Sequence, residues 1–389
     1  MRQVQRRART AALSLALATL AAACATPSTT ADLDQRDWAA VEAEAQGQTV
    51  RWWMFGGDER ANRYVDEHVT PAAAEHGVTV QRVPVADTVD AVQRVIAETE
   101  ADRAAGSVDL IWINGANFAL GKDAGLWLED WARTLPNATL VDWDDDTINT
   151  DFGVPVDGQS SPWTRGAFVF AYDPRRTPEP PRSFPDLLAY ARDNPGRVTY
   201  PAPPDFTGSA FVRQAVAALG EADAFELLAQ LKPLQWHNGE KLPGSEAELN
   251  QLFGDGQVDF AMSYDPTFVA TNVTRGVFPE RVRPFLLDAG ALQNTSYVAI
   301  PRNATNRAGA LVVADLLLDP ALQAALADPD VWGMPTVVDF DRLDAQARLA
   351  VAQATDGPHV LDGLGLGQPE LHADRVGEID ARWRAEVRP

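Results

Sequence analysis

From Thr49 to Ile113 the hydrophobic pattern switches back and forth between two periods. Thr49–Phe55, Val78–Val83 and Val108–Ile113 are compact apolar runs of strand length. Between them, Ala61–His76 and a segment opened by Asp87, with Val89, Val92 and Ile96 on one side, carry helical spacing. Strands separated by helices long enough to cross over build a parallel sheet covered by helices. This region therefore predicts an α/β layer. A short helix over Asp34–Ala45, stopped by Gly47, precedes it.

The same logic restarts further along. Asp142–Asp151 is acidic and turn-like, Gly153–Val156 and Gly166–Tyr172 have strand character, and the proline-rich stretch Arg176–Pro185 leads to a helix over Asp186–Arg192. Arg197–Tyr200 and Val258–Ser263 are expected strands, with a helix capped by Thr207 running to Leu219 between them. Near the end, Tyr297–Ile300 is a strand, and Asn306–Leu318 and Pro320–Leu326 are helices. With 389 residues, 46% of them hydrophobic, the chain can bury two cores. Two α/β units with interrupted connections predict two lobes joined by more than one crossing.

The N-terminus says where the chain works. Arg2, Arg6, Arg7 and Arg9 precede an apolar stretch, Ala11–Ala23, that is too short to span a bilayer, and small residues lead into Cys24, the only cysteine. This resembles a bacterial lipoprotein signal: residues 1–23 would be removed and Cys24 lipid-modified, although Ala21 stands where such signals usually carry a large aliphatic residue. An ordinary signal peptide cut after Ala23 is the alternative, and either predicts export. Ala25–Asp32 is small and polar, as a flexible tether would be, so 24–46 reads as a lipid-anchored tether ending in a short helix. The leader holds four arginines and no acid, so its loss takes the formal charge from −22 to −26. Such a chain is a poor partner for nucleic acid or an anionic membrane surface. A single cysteine excludes an internal disulfide and a thiolate metal site.

Five stretches, in this order and spacing, resemble the extracellular solute-binding proteins of ABC importers, in the branch that includes thiamine, ferric-ion and polyamine binders. They are Trp52-Trp53-Met54-Phe55-Gly56-Gly57-Asp58, Val108-Asp109-Leu110-Ile111-Trp112-Ile113-Asn114-Gly115, Gly166-Ala167-Phe168-Val169-Phe170-Ala171-Tyr172-Asp173, Gln257-Val258-Asp259-Phe260-Ala261-Met262-Ser263-Tyr264, and the run from Asn303 to Pro335. The likeness covers nearly all of the mature chain and is nearest to a group of lipoproteins related to thiamine binders. It implies the two-lobed periplasmic-binding-protein-like fold of type II, with lobe 1 formed by 47–167 plus 287–327 and lobe 2 by 168–286 plus 328–389. It also implies hinge strands near Phe168–Phe170 and Arg281–Phe285, a solute in the cleft, no cofactor, and a monomer that delivers to a permease and an ATPase.

Candidate ligand contacts follow from where ligands sit in open α/β sheets, beyond the carboxyl ends of the strands. Gly56 and Gly57 let backbone amides approach a solute and Asp58 offers a carboxylate; Asn114, Gly115 and Asn117 occupy the corresponding place after the third strand. Thr207, Gly208 and Ser209 open a helix that could hold an anionic group, and Thr207 serves equally as a plain cap. Trp53, Trp163 and Tyr264 could stack on a ring or surround a cation. Tyr200 and Asp265 end second-lobe strands, and Trp332 matches the position where thiamine-binding relatives carry a tryptophan near the ligand. Acidic and aromatic groups together suit a cationic heteroaromatic or a polyamine. The adjacent tyrosine pair of ferric-ion binders is replaced by Tyr264-Asp265.

An exported hydrolase is the rival class. His68, His76, His237, His359 and His372 show no paired zinc spacing, and no serine sits in a nucleophile elbow. Gly363-Leu364-Gly365-Leu366-Gly367 lacks the strand and helix of a phosphate loop. Asp142, Asp144, Asp145 and Asp146 lack the glycine and terminal glutamate of a calcium hand.

Overall fold

The computed structural model describes residues 37–361 and 363–388, so the leader, Cys24 and the tether lie outside the described residues. Its strands are β1 (Thr49–Phe55), β2 (Thr79–Val85), β3 (Leu110–Ile113), β4 (Thr150–Asp151), β5 (Val154–Pro155), β6 (Ser160–Ala167), β7 (Val169–Tyr172), β8 (Phe260–Ser263), β9 (Arg283–Phe285), β10 (Ala291–Ala299) and β11 (Gly367–Pro369). β2, β1 and β3 are parallel neighbours, as the strand–helix alternation predicts. β10 then runs antiparallel to β3 on one side and to β6 on the other, so the sheet is mixed. β11 adds in parallel to the start of β10.

Both faces of this sheet are covered. Along β1, Val50, Trp52 and Met54 point into one core with Val41 of the helix Trp38–Ala45 and Leu311 of Arg307–Leu316. On the opposite face Ile111 and Ile113 of β3 meet Ala91, Val92 and Val95 of the helix Thr88–Glu100. The second body packs around the antiparallel sheet β8-β7-β9. The chain is thus an α/β protein of two lobes. It passes between them at Phe168, where β6 becomes β7, and again between β9 and β10; Phe170 and Phe285, paired across β7 and β9, stack at 5.3 Å.

A third passage falls later than expected. The division placed all of 328–389 in the second lobe, but Trp332 and Val337 are buried in the first core, and Val338, Leu343 and Val351 pack beside Leu140. The chain rejoins the second core late: Leu361, Leu364 and Leu371 pack against it, and Ile379, Trp383 and Val387, of and beyond the helix Ala373–Glu386, are buried in it.

Several local expectations are corrected. Arg197–Tyr200 forms no strand: its backbone makes an isolated bridge from Val198 to Gln235 and a single bond from the Asp259 amide to the Arg197 carbonyl, not a ladder. Gly166–Tyr172 is not one strand but the join of β6 and β7. The helix expected from Thr207 starts at Phe206 and is capped by Asp205, whose carboxylate accepts from the Gly208 amide at 2.9 Å. Among the described residues no single helix is long and apolar enough to cross a membrane; a bent pair, Arg307–Leu316 and Pro320–Ala327, passes by composition and is packed in the first core.

Candidate ligand-binding cleft

The helix Glu59–Tyr64 begins where β1 ends. Asp58 caps it: one carboxylate oxygen accepts from the Arg60 and Ala61 amides at 2.9 and 3.2 Å, and the other accepts from the Trp332 indole N–H at 3.1 Å. Across a cleft of about 920 Å³ stands the second lobe's helix Phe268–Thr274; Gly57, Asp58, Arg60 and Arg63 line one side, Thr271, Thr274 and Arg275 the other. Arg60 spans it, donating to Asp265 at 2.6 Å and to Thr271 Oγ1 at 2.8 Å. Loss of water from the Arg60 guanidinium opposes its charge, but Asp265 and Asp58 outweigh that and hold its pKa above the usual value.

Below the Asp58 turn lies an aromatic group. Trp163 meets Trp332 and Trp112 at 5.1 Å each and Trp52 at 5.3 Å, and Tyr64 meets Trp332 at 5.7 Å. The strand register explains Trp163. Ser296 of β10 pairs with Thr164 but Tyr297 pairs with Pro162, so Trp163 is the extra residue of a bulge and is turned into the first core.

The structure brings together only part of the expected contact set. Gly57, Asp58 and Asp265 meet at the cleft, with Trp332 directly beneath. Trp163 is wholly buried and serves as packing for Trp332. Trp53 lies on the other face of β1, against the core containing Ala91 and Val92, because strand side chains alternate. Asn114 makes no cap hydrogen bond, yet Asn114, Gly115 and Asn117 open a helix, Gly115–Asp123, rather than a simple turn. Gly115 has φ +59° and its amide donates to buried Asp151 at 2.7 Å.

In the second lobe Tyr200 is a core residue: it stacks on Phe211 at 4.3 Å and its hydroxyl accepts from the Trp383 indole at 2.9 Å. Thr207 donates to Glu246, and Ser209 donates to Asp380 and accepts from Arg213. Gly208 is required by packing, since a Cβ there would stand 2.0 Å from the Pro201 carbonyl oxygen. These three residues therefore hold the lobe together instead of presenting an anion site. Tyr264 donates to Glu370 at 2.8 Å, and burial beside that carboxylate holds its pKa well above the ordinary phenol value. Its ring lies 5.3 Å from Phe206.

Sequence reasoning passed over Arg60, Thr271, Phe206, Glu246 and Asp151. Phe206 is 53% exposed, unusual for a phenylalanine. Glu246 is pushed up to about 6 by burial and by Asp265 and Asp205, against hydrogen bonds from Thr207 and Ser263. Asp151 is pushed up to about 8 by burial, opposed only by the Gly115 amide, and its second oxygen has no partner. The only available signal was indirect: Phe206 directly precedes the Thr207-Gly208-Ser209 run. Among the described residues no three His, Cys, Asp or Glu side chains converge as a metal site; Asp145 instead caps a helix and pairs with Arg165, and Asp142 pairs with Arg342.

Residues 67–340 match the family model of the bacterial extracellular solute-binding proteins. Protein YnjB of Escherichia coli (strain K12) is 37% identical over 368 residues, which is 89% of this chain and 93% of that one. The fold is shared with an ABC transporter protein of known structure from Clostridium perfringens, at 17% identity and TM-score 0.62, over 87% of this chain and 98% of that one. It is shared likewise with a periplasmic thiamin binding protein, at 18% identity and TM-score 0.55, over 88% and 96%. With two lobes, a cleft between them and a matching sequence over most of its length, this chain belongs to the bacterial extracellular solute-binding proteins, the exported, ligand-capturing components of ABC transport systems.

Proposed function

We propose that the protein is the substrate-binding lipoprotein of an ABC importer, held to the membrane by a lipid on Cys24 and acting as a monomer. It captures a small cationic or heteroaromatic solute, of the thiamine-like or polyamine kind, and hands it to a permease and its ATPase. A cluster in the second lobe carries this reading. Phe206 offers an exposed ring beside Tyr264, and the carboxylates of Asp265 and Asp205 add to the burial that raises the Glu246 pKa, a surrounding that favours an organic cation with a flat body. The thiamin binding protein of the same fold points the same way. Arg63 and Arg275, which line the cleft, favour a second reading, a solute with an anionic group. The transport character of the relatives does not favour the exported hydrolase.

A thermal-shift screen of the mature chain separates these readings, because a ligand at a hundredfold excess over its Kd adds about 2.7 kcal/mol of stability. Thiamine-like compounds and polyamines should raise the melting temperature, and Phe206→Ala should abolish the rise. A rise only with phosphorylated or carboxylated solutes supports the second reading, and turnover of any compound would restore the enzyme.

A further inference from the structure

We propose that Arg60 is the closing residue of the cleft, a latch that joins the two lobes before any solute arrives. The contact has the form of a plug and a built socket. On the second lobe Asp265 is fixed by its neighbours: one oxygen accepts from the Thr267 amide and hydroxyl, both at 2.8 Å, and its own amide donates to Ser263 at 3.0 Å. The free oxygen of Asp265 and the hydroxyl of Thr271 then receive the two ends of the guanidinium, with Thr267 Oγ1 at 3.5 Å from the same nitrogen as Thr271. On the first lobe the helix bearing Arg60 is pinned at its start by Asp58, which is itself held by Trp332. The backbone that carries Arg60 and the carboxylate that receives it are therefore both ordered within their own lobes, so the contact ties one lobe to the other.

Burial makes the contact count. The Arg60 and Asp265 side chains are 21% and 24% exposed, well short of the open-water condition in which ion pairs contribute almost nothing. The geometry gives two charge-assisted hydrogen bonds, one to a carboxylate and one to a hydroxyl, which a lysine could not reproduce. Arg60 and Thr271 also line the cleft, so the latch stands on the walls a solute would meet.

The inference rests on the groove being a closing cleft, but its test needs no solute. The described residues contain no cysteine, so spin labels at Glu67→Cys and Glu280→Cys, in the chain carrying Cys24→Ala, report the separation of the lobes. At low salt the ligand-free protein should give a short distance. Arg60→Met and Asp265→Asn should each raise the ratio of open to closed forms about tenfold or more, Arg60→Lys should fall between, and the double variant should open no further than either single. A short distance retained in Arg60→Met, or single effects that add in the double variant, overturns the latch. Should Arg60→Met fail to fold, Asp265→Asn on the other lobe tests the same contact. Solute binding with an unchanged distance distribution in these variants removes the latch alone, and a solute-free protein that opens as expected keeps it.

Discussion

The two lobes bury their carboxylates differently. Glu370, in the second lobe, is almost wholly enclosed, but Arg213 donates to both of its oxygens at 3.0 and 2.9 Å and Tyr264 adds a third bond. Asp151, in the first lobe, is equally enclosed, with one backbone amide and a bare second oxygen. The same chemical group is thus part of a bolt in one lobe and a titratable weak point in the other. A buried charge with its partners organises a structure, whereas one without them gives up its charge.

The strongest way to break this comparison is Glu370→Ala, which leaves the Arg213 guanidinium buried beside an empty space. It should cost about 3–5 kcal/mol in denaturant unfolding, and a loss below about 1 kcal/mol would mean the bolt is no stronger than a surface pair. Asp151→Asn sharpens the other side. Since burial raises the Asp151 pKa above its unfolded value, the folded protein binds the extra proton, and stability falls as pH rises from about 4 towards about 8. Relative to the wild type, the asparagine variant should gain up to about 1.4 kcal/mol per pH unit across that window; a difference that does not change with pH contradicts a neutral Asp151. Trp332→Phe removes the hydrogen bond to Asp58 and part of a packed ring, and should cost about 1–3 kcal/mol in thermal unfolding. Arg182→Ala is the control: Arg182 and Asp288 pair with side chains 76% and 61% exposed, and its loss should register within about 0.5 kcal/mol.

The sequence made the first lobe legible because its strands and helices follow one another locally. Thr49–Phe55 is strand β1 as expected, and Asp87 does cap the helix Thr88–Glu100. What escaped was set by distant partners. Whether Trp163 faces a ligand or a core depends on a bulge against Ser296 and Tyr297, far away in the chain. The Arg60 contact needs Asp265 and Thr271 from the other lobe, and an arginine in a helix gives no sign of them. Thr207 resembled a cap because its neighbours suit one, while Asp205 took that place and left the hydroxyl to Glu246. Tyr200 ended an expected strand but was claimed by Trp383, near the C-terminus.

That last contact has a consequence for how the molecule is made. Trp383 and Val387 complete a core that starts at Ala167, and Val337 completes one that starts at Val41. The second core cannot finish until that last stretch has emerged, the first waits for Val337, and pairings of such long sequence separation form slowly. A nascent polypeptide built this way keeps its second lobe threadable until nearly all of it has been synthesised, the condition a translocation channel demands of its passengers.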